Sequence, residues 1–250
     1  MRILLLLVLS FVLVGCSENT RTSYKHIDDG VRLLGKGNKS LALKSFDKAI
    51  AKSPRDRDVH LSVVQGLLQA ELYRESVPYI RKAIALENRT KSDRTLDSNL
   101  YVYLANAYWK TDRFAEAEKA YETAIGLDED NAMAYNDWAY MLAESNQHLD
   151  KALRMSRKAI ALEPENGYFL DSIGWVYFQK GDARKALPYL RKAVSLVPLE
   201  VDIRLHYARA LDAVGDKAAL IEYHKVLELS PSNVQAKERI RTLRPKNTNQ

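Results

Sequence analysis

The chain has 250 residues, 46% of them apolar and 28% charged, the proportions of a soluble globular protein with room for one large core or two small ones. With 10 glycines and 7 prolines it lacks the turn residues of a β-sandwich or barrel, so the composition predicts helices. The net charge of +6 is a mild excess that does not require nucleic acid, and the single cysteine, Cys16, excludes an internal disulfide and a cysteine-rich zinc site.

The chain opens MRILLLLVLSFVLVGC. Arg2 supplies one positive charge. The apolar run from Ile3 to Val14, interrupted at Ser10, is shorter than the ~20 residues a mature membrane span needs. These are the proportions of a secretory signal. The ending Leu13-Val14-Gly15-Cys16 resembles the bacterial lipobox, in which small residues precede a cysteine that is lipidated and becomes the first residue after cleavage. The resemblance implies a signal peptide over 1–15 and a lipid anchor on Cys16. Ser17, rather than Asp, follows, which in Gram-negative lipoproteins implies the outer membrane, facing the periplasm. Residues 16–22 are expected to be the lipidated cysteine and a polar tether reaching about 20 Å at most.

From residue 23 onward one unit recurs. FDKAIAKSP (46–54), IRKAIALEN (80–88), YETAIGLDE (121–129), SRKAIALEP (156–164), LRKAVSLVP (190–198) and YHKVLELSP (223–231) align on Ala49, Ala83, Ala124, Ala159, Ala193 and Val226, spaced by 34, 41, 35, 34 and 33 residues. The 41-residue interval predicts an inserted loop around 91–97. Upstream of these positions, Gly30, Ala105 and Gly174 stand where two helices must approach closely, each followed at fixed offsets by Ala42 and Phe46, Ala117 and Tyr121, or Ala186 and Leu190. Apolar residues at three- and four-residue spacing predict a first helix in each unit. Turns at Gly35-Lys36-Gly37, Thr111-Asp112, Gly181-Asp182 and Gly215-Asp216 lead to a second helix, which ends near Pro54, Pro164, Pro198 or Pro231.

This period and these residues resemble the tetratricopeptide repeat over residues 23–232. The second unit departs at Val64, Ser76 and Asn88, and the sixth at Val226. The resemblance implies an all-α fold, a right-handed superhelical solenoid of about six hairpins. Residues 233–243 are expected to form a capping helix over the last apolar face and 244–250 a disordered tail.

The stretch DSIGWVYFQKG (171–181) carries the functional expectation. Leu170, Ile173, Gly174 and Tyr177 form one helical stripe, which packs on neighbouring helices. Asp171, Trp175 and Phe178 form a second, and the resemblance places it on the concave groove where such arrays hold an extended peptide or a partner's helix. The same face in other units offers Gln65, Asn106, Trp109, Asn136, Tyr140 and Arg209. Aromatics interleaved with amides have the composition of a recognition surface. Trp138, beside Ala139 and in line with Tyr135 and Leu142, belongs to the core instead. A groove that grips paired carboxylates with a basic cluster is not expected, because the first three units lack the basic partners of Asn106.

No stretch matches a phosphate-binding glycine loop, a zinc-protease helix or a nucleophile elbow. His26, His60, His148, His206 and His224 have no second histidine at helical spacing, so no metal site and no cofactor are expected. The basic residues of 235–246 read as a solvated helix end. The sequence therefore predicts a non-enzymatic, lipid-anchored scaffold or adaptor with a protein or peptide partner, similar to envelope lipoproteins that serve proteases, secretion or pili. Stacking of the groove aromatics on peptidoglycan or exported polysaccharide is the alternative.

Overall fold

The computed structural model describes residues 18–86 and 91–243, which form thirteen α-helices among them. The signal segment, Cys16 and residues 244–250 lie outside the described residues. The helices divide into two compact units after Leu127. The first comprises α1 (Glu18–Gly35), α2 (Lys39–Lys52), α3 (Arg57–Gln69), α4 (Tyr73–Ala85), α5 (Lys91–Trp109) and α6 (Phe114–Leu127). The second comprises α7 (Ala132–Glu144), α8 (Leu149–Leu162), α9 (Gly167–Gln179), α10 (Ala183–Leu196), α11 (Val201–Ala213), α12 (Ala218–Leu229) and α13 (Val234–Leu243). Within each unit, consecutive helices pair as antiparallel hairpins.

Every hairpin turn uses one device. The residue past the first helix is left-handed: Gly37 (φ 76°), Glu71 (57°), Asp112 (61°), Asn146 (52°), Gly181 (80°) and Gly215 (74°). The next N–H donates to the carbonyl five residues back: Asn38 to Leu33, Leu72 to Leu67, Arg113 to Tyr108, Gln147 to Leu142, Asp182 to Tyr177 and Asp216 to Leu211, at 2.9–3.0 Å. This bond satisfies a carbonyl the helix end leaves open and fixes the reversal of the chain. Four of the second helices stop two residues before proline. Ser53, Glu163, Val197 and Ser230 leave helical geometry with φ near −134°, −133°, −130° and −137°, as the residue preceding a proline is driven to do.

The small residues mark real contacts. A methyl group on Gly30 would lie 2.4 Å from Cε1 of Phe46, and one on Gly174 would lie 2.6 Å from Cγ of Leu190. In the second unit Ile173, Ala186 and Leu190 share a core with Ala210, and Leu205, Leu211, Tyr223 and Val226 share one with Ala236 and Ile240 of α13. The short helix α13 thus covers an apolar face that the sixth hairpin would otherwise expose.

Two sequence expectations are corrected. Residues 91–97 are not a loop: they form the first turns of α5, and Asp97 is ion-paired with Arg57 of α3. The stretch 16–22 expected as a polar tether is also helical in part, because residues 18–22 belong to α1. There Thr20 donates to Asp56 at 3.3 Å, and Ser23 donates to the Ala49 carbonyl at 2.8 Å. Ser98 makes the same bond to the Ala124 carbonyl at 2.8 Å, so a serine 26 residues before the small alanine ties the start of one helix to the end of the next in two hairpins. No helix among the described residues is long and apolar enough to cross a membrane.

Candidate functional site

In the second unit Tyr140, Asp171 and Trp175 gather around one histidine, and Phe178 and Arg209 pack against Trp175. Trp175 on α9 stacks on Phe178, with ring centres 5.0 Å apart and planes 9° from parallel. It also stacks on His206 of α11 at 4.0 Å and 14°. Its indole N–H donates to Glu144 of α7 at 2.6 Å. Gln179, one turn further along α9, donates to the Ala143 carbonyl at 3.0 Å. Three first helices of consecutive hairpins are therefore joined through one side chain and its neighbours.

His206 is the residue that sequence reasoning missed. It is 6% exposed, and its Nδ1 lies 3.0 Å from both carboxylate oxygens of Asp171, itself 5% exposed. A buried carboxylate is costly without a donor, and this imidazole supplies one. Tyr140 lies beyond it, with ring centres 6.4 Å apart. Burial pushes the Tyr140 phenol pKa up, and the charges of Glu144, Asp171 and Asp202 push it further.

Trp175 is only 2% exposed, which corrects its expected place on an open groove wall. It stiffens the wall rather than facing a guest. Asp171 is likewise engaged with His206. Asn136 is 7% exposed, and its amide donates to Asp137 at 3.1 Å. A ring so enclosed offers no face to a sugar, so the polysaccharide alternative loses its leading aromatic. In the first unit Gln65 is exposed on α3. Asn106 on α5 is half-buried and accepts from the Tyr121 hydroxyl, and Trp109 is half-buried with the Lys110 ammonium 3.9 Å from its ring centre. Trp138 is buried.

Phe178 and Arg209 do line an open space. A cleft of about 380 Å³ lies between the ends of α9 and α11 and the faces of α12 and α13. Its walls include Phe178, Arg209, Asp212, Tyr223, Glu238 and Arg239. Arg239 fixes one side: its Nε and Nη2 donate to Asp212 at 2.7 and 2.6 Å, and the Tyr223 hydroxyl donates to the same carboxylate at 3.2 Å. Burial, then the Asp212 charge, pushes the Tyr223 pKa up to about 12. The Arg209 guanidinium packs over Trp175 at 4.6 Å and over Phe178 at 5.3 Å, an arrangement held by the attraction of a cation to the ring face. Among the described residues no group of three histidine, cysteine or acidic side chains is arranged to hold a metal.

Models of the tetratricopeptide repeat match residues 98–131 and 172–236. The chain carries tetratricopeptide repeats. The second match contains Trp175, Phe178, His206 and Arg209, while Glu238 and Arg239 of the cleft lie just beyond it. The TPR repeat-containing protein PA4667 of Pseudomonas aeruginosa is 30% identical over 166 residues, which cover 66% of this chain and 27% of that protein. The mitochondrial import receptor subunit TOM70 of Rattus norvegicus is 28% identical over 108 residues, 43% of this chain and 18% of the receptor. The chain thus spans about a quarter of the first relative and under a fifth of the second. Among solved structures, PilW, a widely conserved type IV pilus biogenesis factor, shares the fold with a TM-score of 0.64 and 15% identity, over 87% of this chain and 98% of PilW.

Proposed function

We propose that this chain is a non-enzymatic scaffold that receives a protein or peptide partner at the Phe178–Arg209 cleft. In this reading, lipid on Cys16 holds it at the periplasmic face of the outer membrane, where it supports assembly of an envelope complex. The observation that carries the reading is the cleft itself. A half-buried aromatic ring and a guanidinium packed over it line the cleft, backed by a fully packed tryptophan. Rigid aromatic and arginine anchors of this kind concentrate binding energy in protein interfaces. The relatives support the class of role: TOM70 is a mitochondrial import receptor subunit, and PilW serves pilus biogenesis. The lipobox-like ending at Cys16 supports the anchor.

Co-purification from solubilised envelopes tests the reading. Wild type is compared with a Phe178→Ala, Arg209→Ala double variant, which spares the buried Trp175. A partner recovered with wild type and missing from the variant supports the cleft. An identical set from both contradicts it.

A further inference from the structure

The Arg209 guanidinium lies over the Trp175 and Phe178 rings. Among the described residues nothing accepts a hydrogen bond from its N–H groups, and no carboxylate pairs with it. Asp212, which shares the cleft wall, is already engaged by Arg239 and Tyr223. A guanidinium seated against two rings is partly held in place before any ligand arrives, so less freedom is lost when its N–H donors bind.

We propose that Arg209 anchors a carboxylate of the partner: a segment in which an Asp or Glu side chain adjoins an apolar one. The carboxylate accepts from the guanidinium N–H groups, and the apolar side chain enters against the Phe178 ring and the exposed Ala213. This inference rests on the cleft being the partner site. Charge selects the class of anion. Asp212 and Arg239 offset one another in the cleft wall, and the exposed Glu238 beside them makes Arg209 a better match for a single carboxylate than for a dianionic phosphate. The enclosed Trp175 removes the flat surface that a sugar would need.

Selection of a displayed random-peptide library on the full chain tests this. The enriched peptides are expected to share an acidic residue beside Leu, Ile, Phe or Trp. In synthetic copies, changing the acid to its amide weakens binding by about tenfold or more, and Arg209→Gln in the chain does the same. Arg209→Lys recovers part of that loss, since it restores charge without the fork. An unchanged thermal midpoint for Arg209→Gln assigns the loss to binding. Enriched peptides without an acid overturn the inference. So does binding that Arg209→Gln leaves intact, or binding that tightens when the acid becomes phosphoserine. If such binding still falls with Phe178→Ala, the cleft reading stands and the anchor alone fails. If no peptide is enriched, or neither substitution matters, the cleft reading falls as well.

Discussion

The His206 imidazole lies 4.0 Å from the Trp175 ring, nearly parallel to it, while its Nδ1 sits 3.0 Å from both oxygens of Asp171. The carboxylate fixes the imidazole, the imidazole backs the indole, and the indole carries the Arg209 guanidinium at 4.6 Å. The presentation of Arg209 at the cleft thus depends on a buried polar pair.

Replacing His206 with Ala strands the Asp171 carboxylate in the core and is expected to cost about 3–5 kcal/mol. Removing both partners with His206→Ala, Asp171→Ala is expected to cost less than the two single changes summed, because no orphaned charge remains. Denaturant unfolding read through exchange of the α9 and α11 amides checks this. Strict additivity would mean that the pair is not coupled.

Trp175→Ala is expected to destabilise the second unit by about 3–5 kcal/mol, the cost of emptying a large core site. Phe178→Ala, at a half-buried ring, is expected to cost less than half of that and to act chiefly on binding. Comparable losses of stability for both would contradict the division of the stripe into support and contact.

Gly174→Ala places a methyl 2.6 Å from Leu190 Cγ and is expected to cost about 1–3 kcal/mol through overpacking. Adding Leu190→Ala to that variant is expected to cost less than Leu190→Ala does in wild type, because the new methyl then fills part of the cavity. Chemical denaturation of the four proteins measures the coupling.

The Tyr223 pKa is raised from the usual 10.0 to about 12, chiefly by burial and then by Asp212. The folded state therefore favours the neutral phenol. The stability contributed by that preference is fully present below about pH 10 and is lost as pH rises from there through about 12. Tyr223→Phe is expected to flatten that alkaline decline. A decline of unchanged steepness would assign it to other tyrosines, such as Tyr140.

The repeats were legible because close approach constrains residue type: Gly30, Ala105, Gly174 and the aligned alanines recur wherever two helices touch. Arg209 was legible too, since it stands one 34-residue repeat after Trp175 and meets that ring in space. Burial depth was not. Helical spacing gives the angle at which Trp175 leaves α9, but its enclosure depends on His206 and Glu144 from neighbouring hairpins. His206 was overlooked because it sits one position past Leu205, off the stripe that repeat spacing marks. The extension of α5 was hidden because the polar run at 91–97 has no apolar stripe, and its tie to Arg57 is a pairing across two hairpins. The contribution of α13 to the cleft, through Glu238 and Arg239, was masked by its reading as a solvated basic end.

Site-specific photo-crosslinking in intact cells tests the docking claim most directly. A benzophenone amino acid is placed at Phe178 and, separately, at the exposed Leu199. The account predicts a discrete protein adduct from position 178 that disappears with Arg209→Ala, and none of that size from 199. No adduct from 178, or the same adduct from both positions regardless of Arg209, would contradict it.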